Sequence, residues 1–208
     1  MQPGSAHIFC NALPITQKSF EAEVFTPKKD FVSHYIRSRK IENLSYKWED
    51  YAKELVTPYE IMKKSFSSYG FKFIDECTFY SYQAEVSNEA NQVIILFSHC
   101  INNGTQNEEI EFFNALMKSE NVISAIPIKA SCIYDFAVCK SDYLFYKMQA
   151  ERSQSVSGYS NQPIPLSIWL VIYSRVFYNM IVEKNDFLDA VDKVFREARK
   201  NRNKFLNQ

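Results

Sequence analysis

A histidine and a cysteine each close an apolar run in this chain. Val93-Ile94-Ile95-Leu96-Phe97-Ser98 leads into His99, and a second run from Val122 to Ser131 leads into Cys132. If both runs are strands of one parallel sheet, their carboxyl ends lie side by side at the crevice where open α/β sheets do their chemistry. An imidazole and a thiol meeting there suit nucleophilic catalysis: the imidazole takes the thiol proton, and the thiolate attacks a carbonyl carbon. Backbone amides at the strand ends would hold the resulting oxyanion, each contributing about 3 kcal/mol.

Such a pair needs parallel strands joined by helices, and the pattern of the chain predicts both. Ala6 to Pro14 reads as a first strand ended by proline. Residues 15 to 45 are charge-rich and irregular, with Pro27-Lys28-Lys29-Asp30 inside, and are read as an insertion or arm. Thr57-Pro58-Tyr59-Glu60 predicts a capped helix start, Gly70 its left-handed end, and Phe71-Lys72-Phe73-Ile74-Asp75 an alternating strand. Thr105-Gln106-Asn107-Glu108 predicts a second capping box, opening a helix with Ile110, Phe113 and Met117 on one side and ending near Ser119.

The next strand is expected from Val122 to Ser131, with Pro127 marking a bulge, and a further one at Tyr143-Leu144-Phe145-Tyr146-Lys147-Met148. Two helices close the chain, Leu166 to Glu183 apolar nearly all round and Phe187 to Ala198 with a single apolar stripe. Asp186 and Asp189 stand at the start of the last helix and Arg196, Arg199 and Lys200 at its end, the arrangement its dipole favours. Alternating strands and helices imply one α/β domain over residues 1–208, a three-layer sandwich with a mainly parallel central sheet.

Composition excludes several classes of function. With 24 basic and 24 acidic side chains the formal charge is zero, so no net field draws the chain to nucleic acid or an anionic membrane. Four glycines and no GxGxxG or Walker-type loop argue against a nucleotide cofactor, and His7, His34 and His99 offer no zinc spacing, so no cofactor is expected. Five cysteines form no regular framework, and Met1-Gln2-Pro3-Gly4-Ser5 is polar and uncharged, which points to a reducing cytoplasm. Ile164 to Val182 is long and apolar, but Arg175 near its middle favours a buried core helix over a membrane span.

In the order of these elements the chain resembles the caspase-like cysteine peptidases, especially their CHAT branch. Ile8 to Pro14 is similar to the family's first strand, Val93 to His99 to the strand ending in its histidine, and Lys129-Ala130-Ser131-Cys132 to the strand ending in its nucleophile. Phe145 to Ser157 resembles the strand and segment against which a peptide is laid, and Arg175 to Tyr178 with Phe187 to Val191 the two closing helices.

The resemblance implies a cysteine endopeptidase acting on a protein or peptide, with Cys132 as nucleophile, His99 as general base and acid, and Ser155 and Ser157 beside the substrate. It equally allows a catalytically degenerate domain that binds a regulatory partner or a second copy of itself; a flavodoxin-like binding domain is a third reading. Where the family carries glycine after its histidine, this chain has Cys100.

In several caspase-like families the position two before the nucleophile is an acid that selects basic side chains, but here it is Ala130. Asp135, just past the cysteine, is the candidate replacement, with Asp142 as a second, and solvated loop acids are the plainer account of both. Cys100 is read as structural, because neighbours on a strand point to opposite faces, and Cys10, Cys77 and Cys139 as core or surface thiols.

Overall fold

Along one strand Val93, Ile95 and Phe97 are buried in one apolar cluster, while Ile94 and Leu96 are buried in another. A strand apolar on both faces needs a helical layer on each side. The computed structural model supplies both, and describes residues 6–25, 33–101, 105–127, 132–138, 142–152, 156–157 and 164–206.

In chain order, β1 (Ala6–Asn11) is followed by α1 (Gln17–Phe25) and α2 (His34–Glu42). A continuous helical run comes next, made of α3 (Trp48–Tyr51), a π-helical turn (Ala52–Val56) and α4 (Thr57–Phe66). Then come β2 (Phe71–Ile74), α5 (Phe79–Val86), β3 (Asn91–Ser98), and three short strands, β4 (Cys100–Ile101), β5 (Glu109–Phe112) and β6 (Ala115–Lys118). The described chain closes with α6 (Ser119–Ser124), β7 (Ile133–Val138), α7 (Asp142–Arg152), β8 (Val156–Ser157), α8 (Leu166–Val182) and α9 (Phe187–Leu206).

The central sheet has the order β2-β1-β3-β7-β8, and every neighbouring pair is parallel. A second, antiparallel sheet, β4-β5-β6, follows directly from β3. On one face α8 lays Trp169, Tyr173 and Phe177 at helical spacing against the sheet, and the ring of Phe9 meets those of Tyr173 and Phe177 at 5.7 and 6.2 Å. Removing one such ring costs about 3 to 5 kcal/mol. On the other face Tyr82 of α5, Val122 of α6 and Leu144 and Met148 of α7 cover Ile8, Ile94, Leu96, Tyr134 and Phe136. The α/β architecture with a parallel sheet is therefore as the sequence implies, and among the described residues no helix is long and apolar enough to cross a membrane.

Several elements depart from the sequence pattern. Residues 15 to 45, read as irregular, carry α1 and α2, which bury Phe20, Tyr35 and Ile36 in the same core as α8; Pro27 to Asp30 lie outside the described residues. α4 does begin at Thr57 with Pro58 in its first turn, but Thr57 caps nothing: its backbone is already helical and its amide bonds to the Ala52 carbonyl across the π turn. Gly70 does end its helix in the left-handed region (φ 88°), where a glycine has no steric cost.

The expected helix from Thr105 is a hairpin, because Glu109-Ile110-Glu111-Phe112 alternates with period two and Asn114 (φ 66°) takes the turn. The expected strand at 122–131 is helical over Ser119–Ser124, with residues 128–131 outside the described residues, and the expected strand at Tyr143 to Met148 lies within α7.

Candidate active site at the carboxyl end of the sheet

The β3/β7 ladder fixes where each candidate stands. Its register runs from Val93 opposite Ile133 to Ser98 opposite Val138. His99 leaves β3 at the carboxyl end, whereas Cys132 enters β7 at the amino end. The ladder separates them by about 20 Å, at 3.3 Å per residue.

The expected His99 and Cys132 pair is thus corrected. The strand begins at Ile133 rather than ending at Ser131, so Cys132 opens it. The Cys132 thiol is buried among apolar side chains, with its Sγ 3.5 Å from the Ile133 carbonyl oxygen, and burial pushes it up to about 12. A thiol held protonated in hydrocarbon is neither a nucleophile nor a base.

His99 occupies the position expected of it, half-buried at the end of β3. Burial, with a smaller contribution from nearby His34, lowers its imidazole to about 4, so at neutral pH it is an uncharged base. Its backbone is fixed by the second sheet, since the Glu111 amide donates to the His99 carbonyl oxygen at 2.9 Å. The ring of Tyr35 stands edge-on to the imidazole, 5.6 Å between centroids.

Two buried carboxylates of the β4–β6 region, Glu111 and the Glu108 that the sequence offered only as part of a capping box, organise the flanks of this end. The Glu111 carboxylate accepts from the Ser33 hydroxyl and from the Tyr35 amide at 3.2 Å, seating the first turn of α2 beside His99. Glu108 accepts from the amides of Tyr143 (3.1 Å) and Leu144 (2.8 Å) and from the Ser119 hydroxyl (2.9 Å), so it caps the start of α7. Helix starts leave amides unpaired, and the helix dipole favours a negatively charged acceptor there. The Glu-Ile-Glu-Phe alternation gave no signal for Glu111, since it sets Glu111 on the face of Glu109, yet Glu111 is buried and Glu109 is not.

The remaining candidates fall as follows. Asp135 is corrected: it lies mid-strand in β7, is fully buried, and accepts a 2.6 Å hydrogen bond from the Tyr173 hydroxyl on α8, so it lines no substrate pocket. Ser157 is on β8, with Asp135 as its register partner on β7, and Ser155 lies outside the described residues. The segment Phe145 to Arg152, expected as a strand beside the substrate, is part of α7. Cys100 is buried in β4, paired with Ile110, so the chain passes from His99 straight into the second sheet.

Cys139 also lies outside the described residues. In the sequence it follows Val138, as His99 follows Ser98. Among the described residues no group of three or more histidine, cysteine, aspartate and glutamate side chains could hold a metal ion. No protein-family model matches the chain, and no curated protein is significantly similar to it.

Proposed function

We propose that the protein is a cysteine endopeptidase of caspase-like, CHAT-type fold in which His99 is the general base and acid and Cys139, in place of Cys132, is the nucleophile. The observation that carries this reading is the last rung of the β3/β7 ladder, Ser98 opposite Val138; in the sequence His99 is the next residue after the one and Cys139 the next after the other. Carboxyl ends of parallel strands are where open α/β sheets bind substrates.

In the reaction His99 takes the Cys139 proton and the thiolate attacks the scissile carbonyl, giving a tetrahedral oxyanion held by backbone amides. The oxyanion collapses as His99 returns the proton to the leaving amine. Water, deprotonated by the same imidazole, then hydrolyses the thioester and frees the acid. An imidazole kept neutral by burial is in the right state for the first of these steps. A cytoplasmic setting belongs to the same proposal, because the nucleophile must stay reduced; Cys10, Cys77, Cys100 and Cys132 are all free thiols.

A second reading, a silent domain of this fold that binds a protein partner, is favoured by one observation: the residue after His99 is a buried strand residue, Cys100, in place of a glycine turn. One experiment separates the two. A peptidyl chloromethyl ketone mixture is reacted with wild type, Cys139→Ala, Cys132→Ala and His99→Ala, and the adduct is located by peptide mass. Modification of Cys139 in wild type and Cys132→Ala, abolished in Cys139→Ala and slowed in His99→Ala, supports the peptidase. Equal modification of wild type and Cys139→Ala refutes it and leaves the binding domain.

A further inference from the structure

We infer that Tyr35 is a positioning residue for the His99 imidazole, supplied by α2. This rests on the peptidase reading for its catalytic meaning, though the contact itself does not. The ring of Tyr35 is held at both ends. Its backbone amide is fixed by Glu111, the residue whose own amide holds the His99 carbonyl oxygen, so both rings are referred to one point in the second sheet.

At the far end its hydroxyl donates to Glu54 at 3.0 Å. Glu54 is itself fixed by the Tyr46 hydroxyl at 2.8 Å and by the Arg39 guanidinium, 3.2 Å from each carboxylate oxygen. Arg39 comes from α2, Tyr46 from the residues between α2 and α3, and Glu54 from the π turn, so the clamp ties α2 to the helical run that follows it. A ring so tethered, edge-on to the imidazole at 5.6 Å, limits the rotamers that His99 can take.

The imidazole has need of such a support. Among the described residues no side chain forms a hydrogen bond to it, so no carboxylate or carbonyl of the kind that usually orients a catalytic histidine acts on it there. Packing against Tyr35 supplies orientation without adding charge, and it excludes water from one side of the ring. A base held in one rotamer within reach of its proton is worth a large factor in rate, since even small misplacement is costly.

The test uses the full chain with Tyr35→Phe, Tyr35→Leu and Tyr35→Ala. Leucine keeps apolar bulk should alanine fail to fold. Two readouts are taken: histidine NMR titration, with His99 assigned by its loss in His99→Gln, and kcat and KM on a peptide cleaved by wild type. Tyr35→Phe keeps the ring and its amide anchor but loses the Glu54 tether, so its kcat is expected to fall between wild type and Tyr35→Leu, which loses at least about tenfold in kcat with KM nearly unchanged.

The His99 titration is expected to stay low in Phe and to move toward the ordinary histidine range in Leu and Ala. An unmoved titration in both Leu and Ala overturns the inference. So does a kcat loss in Phe equal to that in Leu, because thermal stability alone would then explain both. Should Cys139→Ala show the peptidase reading to be wrong, the titration still decides whether Tyr35 controls the state of His99.

Discussion

Ser98 and Val138 stand opposite each other in the final rung of the β3/β7 ladder, and Val93 and Ile133 do so in the first. That register assigns the ends of the sheet. His99, which follows Ser98, stands at the carboxyl rim, and Cys132, which precedes Ile133, belongs to the other rim with the start of β3.

Cys132 is accordingly expected to behave as core. With its thiol pushed up to about 12, roughly one part in 10⁴ is thiolate at pH 8, so iodoacetamide should modify it only on unfolding. Cys132→Ala should cost about 1 to 2 kcal/mol through the small void it leaves and should not alter peptide cleavage. Urea melts and kinetics of this variant check both; loss of cleavage with an unchanged melt would return Cys132 to the site.

His99 makes a pH prediction whose sign follows from its burial. Its folded value of about 4 lies below the usual 6.5, so as pH falls the unfolded chain binds this proton first. Stability present above pH 6.5 is therefore lost between 6.5 and 4, on the order of 2 kcal/mol by pH 4.5. His99→Gln should flatten that part of the stability profile in urea midpoints measured at pH 7 and 4.5. The acid limb of kcat/KM should fall near the same low value.

The fold was legible where burial is local and obscure where it depends on distant partners. Val93 to Phe97 read correctly as a strand buried on both faces, and α8 and α9 as the closing helices, because their apolar patterns are continuous. The strand that matters most was placed early. Val122 to Ile128 is the more apolar run, while Ile133 to Val138 is interrupted by Asp135, whose burial is compensated by a tyrosine on α8.

The same displacement promoted Cys132, which opens the strand that it was expected to close. Thr105 to Glu108 resembled a capping box, yet the Glu108 carboxylate caps a helix that starts at Asp142, a contact no local window contains.

Glu108 can be tested directly. Glu108→Ala leaves the amides of Tyr143 and Leu144 and the Ser119 hydroxyl without their shared acceptor, at a cost of about 2 to 4 kcal/mol; Glu108→Gln retains an acceptor and should lose less. Because α7 begins three residues after Cys139, fraying of its first turn should also change the rate at which that thiol is alkylated. Amide exchange at Tyr143 and Leu144 reads the cap, and alkylation kinetics read its effect on the Cys139 thiol. Unchanged exchange in Glu108→Ala would show that the carboxylate holds neither amide.

Asp135 and Tyr173 form the buried polar contact that ties β7 to α8, and its energetics follow from where each group is left when the other is removed. Tyr173→Phe keeps the ring packed on Phe9 but withdraws the hydroxyl, so a fully buried carboxyl loses a 2.6 Å donor. That should cost about 1 to 3 kcal/mol. Asp135→Asn keeps an acceptor for the hydroxyl while removing the charge from the apolar layer, so it should be the milder change. A double-mutant cycle between the two positions should therefore show coupling above about 0.5 kcal/mol in chemical melts. Additive costs would mean that the hydroxyl and the carboxyl are stabilised independently, and that β7 is held to α8 by its apolar neighbours alone.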